Sequence, residues 1–156
     1  MNIATPVAEA DAPAWRFDHV NVSAGDRHAL RLLFEGVMDL RPGYRLPFPF
    51  PGLWLYAGEQ AAVHAVDDPA LSAQDGAVRF GHIAFRSDTP AAEVIARLRA
   101  SGLPFRIARV PADDTTQFFV GLPGGFVVEL DVPLDAHAAA SHHYDSTQAA
   151  PSGDDF

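Results

Sequence analysis

Cysteine is absent from the chain, which removes disulfides, thiolate nucleophiles and Cys-based zinc sites. Any bound metal must be held by His, Asp or Glu. Lysine is absent too: all 11 cations are arginines, set against 20 acidic residues for a net charge of −9, with no basic cluster. A surface of that sign repels phosphate backbones and anionic lipid, so neither nucleic acid nor membrane is an expected partner. No apolar run approaches the ~20 residues that cross a bilayer. The opening Met1-Asn2-Ile3-Ala4-Thr5-Pro6-Val7 lacks the basic start and sustained apolar core of a secretion signal, and the cytoplasm is the expected location. The 156 residues, 48% hydrophobic and 10% aromatic, suit one globular domain or two small modules sharing a core.

The pattern that organises the chain is a repeat. Arg16-Phe17-Asp18-His19-Val20-Asn21-Val22 returns as Arg79-Phe80-Gly81-His82-Ile83-Ala84-Phe85, with the two histidines 63 positions apart. Each copy is followed by a helix-like segment and then by further strands, so the chain reads as two copies of one strand-helix-strands module. Residues 1–14 form an Ala/Pro-rich arm, 15–66 the first module, 67–77 a polar linker, 78–133 the second module and 134–156 a disordered tail.

Within the first module, residues 15–22 alternate as a strand. A helix is expected over 26–38, with Asp26 as N-cap and Ala29, Leu30, Leu33, Phe34 and Val37 on its apolar stripe. Arg41-Pro42-Gly43 ends that signal. Three prolines in Leu46–Gly52 forbid a helix or a central strand and imply a stiff aromatic loop. Strands follow at 53–57 and 61–66. In the second module the strands are 78–86, 105–110, 116–120 and 126–132. A helix opens at Thr89-Pro90, with Pro at the first position, and stops at Gly102.

Strand parity then sorts the faces. Phe17, His19 and Asn21 oppose Asp18, Val20 and Val22. His64 opposes Val63 and Ala65, His82 opposes Ile83 and Phe85, and Glu129 with Asp131 opposes Val128, Leu130 and Val132. His64 and Glu129 match each other at an offset of 65 positions. If the modules pair as pseudo-repeats, His19, His64, His82 and Glu129 converge on one concave face as a metal set. Three imidazoles and a carboxylate suit one divalent ion per site: Zn, Ni, Mn, Co or Fe. Phe48, Phe50, Trp54 and Tyr56 offer an aromatic wall for a small-molecule substrate, Gln117 a hydrogen bond to it, and Asp131 an orienting contact to a ligand. His28 and His137 read as surface residues, and His142 and His143 as part of a solvated tail.

Phe17-Asp18-His19-Val20, Val63-His64-Ala65, Gly81-His82-Ile83-Ala84-Phe85 and Gln117–Leu130 together resemble the vicinal oxygen chelate superfamily: glyoxalase I, extradiol dioxygenases, fosfomycin-resistance enzymes, methylmalonyl-CoA epimerase and bleomycin-resistance proteins. The resemblance covers roughly residues 15–133, with Leu122 standing where the family's closing motif carries an Asp. It implies an α+β fold of two tandem βαβββ modules, forming a curved mixed sheet around a metal held by His19, His64, His82 and Glu129. It also implies a homodimer. With His64 as a fourth ligand, it points to a glyoxalase-like lyase or isomerase that polarises adjacent oxygens and stabilises an enediolate-type intermediate, Glu129 and His64 being the catalytic residues. The alternatives are an Fe(II) ring-cleaving dioxygenase in which His64 is a free acid/base, and a non-enzymatic binding protein of the bleomycin-resistance type.

Overall fold

In the computed structural model, which describes residues 14–71, 76–147 and 149–156, eight strands form one mixed sheet in the order β2-β3-β4-β1-β5-β8-β7-β6. In chain order these are β1 (Arg16–Ala24), β2 (Arg41–Gly43), β3 (Gly52–Ala57), β4 (Gln60–Asp67), β5 (Val78–Arg86), β6 (Phe105–Arg109), β7 (Thr115–Leu122) and β8 (Phe126–Pro133). Between β1 and β2 lies α1 (His28–Leu30), continued as a π-helix over Arg31–Val37; α2 (Ala91–Ser101) lies between β5 and β6. Each half therefore runs β-α-β-β-β, as expected for an α+β chain of two tandem modules. Within each half the first and last strands pair in parallel, and the halves join through the antiparallel β1–β5 ladder. The expected arm over 1–14 lies outside the described residues except for Ala14, as do residues 72–75 of the expected linker.

The alternation in the strands puts one face of the sheet against the helices. Val22 and Ala24 of β1 pack with Leu30, Leu55, Val63 and Ala65, while Val94 and Leu98 of α2 pack with Ile107, Phe118, Val120 and Val132. Each Val, Leu, Ile or Phe among these contributes about 1.5–3 kcal/mol on leaving water, which makes these apolar faces the bulk of the driving force. The opposite face keeps the polar residues, and β1, β4, β5 and β8 at the centre carry them. A one-residue slip of any of these strands would exchange the two faces, so burial enforces the register.

Three local features differ from the sequence reading. The helix after β1 is wound as a π-helix through its second half, with the Met38 N–H donating to the Leu33 carbonyl at 2.9 Å. The wider turn keeps Leu30 and Phe34 on the core but rotates Leu33 and Val37 out, the latter to 77% exposure. Asp26 still accepts the His28 N–H at 2.8 Å. Arg41–Gly43, expected only to end the helix, is an outermost strand paired with Trp54–Tyr56; Pro42 is tolerated there because an edge strand has one side without a partner. Pro90 caps α2 rather than opening it, the helix starting at Ala91.

The expected disordered tail is the fourth and largest difference. After Pro133 the chain returns over the outer strands: the N–H groups of Ser141 and His142 both donate to the Ile107 carbonyl, and Ala138 joins the core under α2. His142, expected in a solvated tail, is 5% exposed and shares a 2.8 Å hydrogen bond with the Ala149 carbonyl. Near the terminus Arg106 donates to the Asp155 carbonyl and lies over the Phe156 ring. An Ala/Ser/Asp-rich composition hid this because the contacts are few, polar and long-range.

Candidate metal centre

The concave face gathers His19 from β1, His82 from β5 and Glu129 from β8, all at most 4% exposed. One donor atom from each lies within 4.8 Å of the other two, and all three residues belong to one chain. His82 Nε2 is 2.8 Å from Glu129 Oε2, and His19 Nε2 is 4.0 Å from Glu129 Oε1. His82 Nε2 nonetheless forms no aligned hydrogen bond. Two donors about 3 Å apart and aimed past each other fit adjacent corners of a coordination sphere with ligand distances of ~2.1 Å. Burial alone would raise the Glu129 carboxyl; the charges of His82 and His19 hold it below the usual carboxylate range.

His19 is fixed from behind. Its Nδ1 sits 2.6 Å from Asp18 Oδ2, and the Arg86 Nε–H donates to Asp18 Oδ1 at 3.1 Å. With Nδ1–H engaged, Nε2 carries the lone pair into the site, the arrangement by which a carboxylate sets the tautomer of a ligating histidine. Simple alternation places Asp18 on the far face. A register break in the β1–β5 ladder between Phe17 and His19 brings it round. Arg86 also reaches Asp131 Oδ2 at 3.3 Å, which links Asp131 to Asp18, while Asp131 also interacts with Glu129. Burial and the Glu129 charge push the Asp131 carboxyl well above its ordinary value. Gln117 donates to Glu129 Oε1 at 2.8 Å, contacting the proposed ligand directly.

His64, expected as a fourth ligand, stands outside the cluster. Its backbone position is equivalent to that of Glu129: His64 pairs with Asn21 across β1–β4, and Glu129 with Ala84 across β5–β8, each two residues beyond a module's first histidine. Its side chain goes elsewhere. The imidazole stacks on Trp54 at 4.4 Å and 7°, with Phe48 and Phe50 rings at 5.5 and 6.1 Å. Its Nε2 is buried without a partner among the described residues. Burial, helped by the nearby charges of His19, Arg45 and His82, lowers its pKa well below the ordinary imidazole value, so it is a neutral base at pH 7.

Of the expected aromatic wall, Phe48, Phe50 and Trp54 line the cavity beside the cluster, with Gln117. Arg45 holds the first two, lying over both rings and donating to the Phe50 carbonyl. Tyr56 is not among the lining residues. Its ring lies over Gly43, where a Cβ would come within 2.5 Å of the ring, and its hydroxyl donates to the Tyr44 carbonyl. The sequence reading missed Tyr144, which lines the cavity from the C-terminal segment and donates to Gln117 Oε1 at 2.5 Å. Burial, with the Glu129 and Asp131 charges, keeps its phenol well above the ordinary value.

No helix of the described residues is long and apolar enough to span a membrane. The sequence matches no protein-family profile and no curated protein. Solved structures do match. Methylmalonyl-CoA epimerase from Mycobacterium tuberculosis superposes with a TM-score of 0.53 at 19% identity, over 80% of this chain and 91% of that one. A homoprotocatechuate 2,3-dioxygenase variant from B. fuscum gives 0.59 at 19% identity, over 83% of this chain but 35% of that one. The 2,3-dioxygenase LapB from Pseudomonas sp. KL28 gives 0.59 at 15% identity, over 76% and 40%. The chain thus spans most of the epimerase and well under half of either dioxygenase. The fold of this chain is the fold those three solved structures share, and it agrees with the fold expected from the resemblance to the vicinal oxygen chelate superfamily.

Proposed function

We propose that the chain is a metal-dependent oxygenase that holds Fe(II) on His19, His82 and Glu129 and opens the ring of a small catechol-like substrate, with His64 as its acid/base. One observation carries this reading: only three of the four expected donors converge, and the fourth imidazole is held apart by Trp54. Two histidines and one carboxylate with open positions are the donor set of non-haem Fe(II) oxygenases. The buried nitrogens of His82 and His64 support it, since neither finds a hydrogen-bond partner among the described residues.

When bound, the metal would supply a Lewis-acidic centre with room for two adjacent substrate oxygens and dioxygen. The protein's own groups do the rest. Asp18 holds the His19 tautomer and Gln117 orients Glu129. His64, neutral and unpartnered, accepts a proton from a substrate hydroxyl and can return it to the product. Phe48, Phe50 and Trp54 exclude water and flank a planar ring. Both atoms of O₂ end in the ring-opened product, so the reaction needs no external reductant.

The second reading, a glyoxalase- or epimerase-like isomerase working through an enediolate-type intermediate, is favoured by size, because this chain covers nine-tenths of the epimerase. Anaerobic loading with Fe(II), then oxygen uptake with catechols, separates the two. Fe-dependent uptake with a ring-cleaved product supports the proposal. Isomerase or epimerase turnover with Zn, Ni or Co and no oxygen uptake overturns it. Tight ligand binding by a protein that takes up no metal would indicate the non-enzymatic binder.

A further inference from the structure

The cavity over the metal cluster is nearly full. The free space left among His19, His64, His82, Gln117, Glu129 and the aromatic wall is about 20 Å³, room for roughly one water, whereas a benzene-sized ring occupies a cavity of about 150 Å³. What fills it from above is Tyr144. Its ring meets Phe48 at 5.2 Å edge-on, Phe50 at 5.8 Å and His142 at 5.1 Å, and its hydroxyl donates to Gln117 Oε1. Apart from His142, which is buried beside it, the neighbouring residues face solvent: His143 and Asp145 to Thr147 are exposed. Tyr144 is the one side chain that this stretch sends into the site.

We propose that Tyr144 is a built-in pseudosubstrate: its phenol occupies the place of the substrate ring, and the segment 143–147, beyond the anchored Ser141 and His142, must swing outward before substrate enters. The contacts it makes are those a hydroxylated aromatic ring would make there, an edge-on and a tilted ring contact from the Pro-Phe loop and one hydroxyl hydrogen bond to the glutamine that orients Glu129. An incoming ring therefore replaces Tyr144 contact for contact, and the site stays closed to anything larger than a water until that exchange occurs. The identity of the imitated ligand rests on the catechol reading; the closure does not.

The test uses the full-length chain and its Tyr144→Ala and Tyr144→Phe variants. Tyr144 lies outside the two main apolar cores, so both variants are expected to fold, as far-UV circular dichroism will check. With Zn(II)-loaded protein and catechol as probe, Tyr144→Ala is expected to bind about tenfold more tightly, for an open fraction of about one tenth in the parent chain. The observed association rate should saturate with catechol concentration in the parent and rise linearly in Tyr144→Ala. Tyr144→Phe, which keeps the ring and loses the Gln117 bond, should fall between. Unchanged or weaker catechol binding by Tyr144→Ala would overturn the pseudosubstrate and make Tyr144 part of the binding wall. A second readout needs no ligand. Carbethoxylation of His64 in metal-free protein, followed by mass spectrometry, should run about tenfold faster in Tyr144→Ala, and equal rates would overturn the closure. If catechol binds neither protein while His64 still reacts faster in the variant, the closure stands and the catechol reading fails.

Discussion

Asp18→Asn is the most informative single change, because it keeps the size of the side chain and removes one acceptor. Asp18 serves two donors at once, His19 Nδ1–H at 2.6 Å and Arg86 Nε–H at 3.1 Å. An asparagine has one acceptor oxygen and must turn its NH₂ toward one of them. If the oxygen stays with His19, the NH₂ faces the Arg86 guanidinium. If it goes to Arg86, the Nδ1–H of His19 is unpaired and its tautomer is free to switch, which takes the lone pair off Nε2. Carboxylates in this position typically account for 10–100-fold in metal affinity, or about 1.4–2.7 kcal/mol. Competition titration with Zn(II) or Co(II) should show a loss in that range, with the circular dichroism spectrum unchanged. Asp67→Asn is the matched control: it breaks a two-bond ion pair with Arg27 remote from the cluster and should leave metal affinity unaltered, at a stability cost of about 0–1 kcal/mol. Asp18→Asn binding metal within twofold of the parent would refute the assignment of His19 as a ligand held by Asp18.

Three further outcomes are expected. His64→Asn should bind metal within about threefold of the parent while turnover falls by about 10²–10⁴-fold; a proportionate loss of metal would return His64 to the ligand set. Phe118→Ala, at a fully buried position under α2, should cost about 3–5 kcal/mol in urea denaturation, and a loss under about 1 kcal/mol would contradict the packing described. His142 has its pKa lowered by burial, so the folded chain resists protonating it. Its contribution is complete above the unfolded value of about 6.5 and declines as pH falls below that. The denaturation midpoint should drop between pH 7.5 and 5.5, and less so in His142→Phe, with an identical drop counting against the buried state of this ring.

The backbone of this protein is legible in its sequence wherever alternation is strong. In β1, β4, β5 and β8 every second residue is apolar, and the hydrophobic effect allows such a strand only one side to bury. The face that carries His19, His82 and Glu129 therefore follows from period alone, and their spacing in the two halves follows from the repeat. The same logic places His64 on that face, which is correct, but parity orients a Cα–Cβ bond and says nothing about where a ring then stacks. Trp54 decided that, stacking the ring outside the cluster of His19, His82 and Glu129. Asp18 escaped because a bulge in the β1–β5 ladder overrides alternation. Leu33 and Val37 escaped because a π-helix has a different period from the α-helix their spacing fits. Tyr144 escaped because nothing within a dozen residues of it signals a partner. Its hydrogen bond to Gln117 spans 27 positions, and a single long-range contact leaves no periodic trace in the chain. Local repetition set the sheet and the faces of its central strands; the occupancy and reach of the site were decided by side chains that meet only once the two halves have folded together.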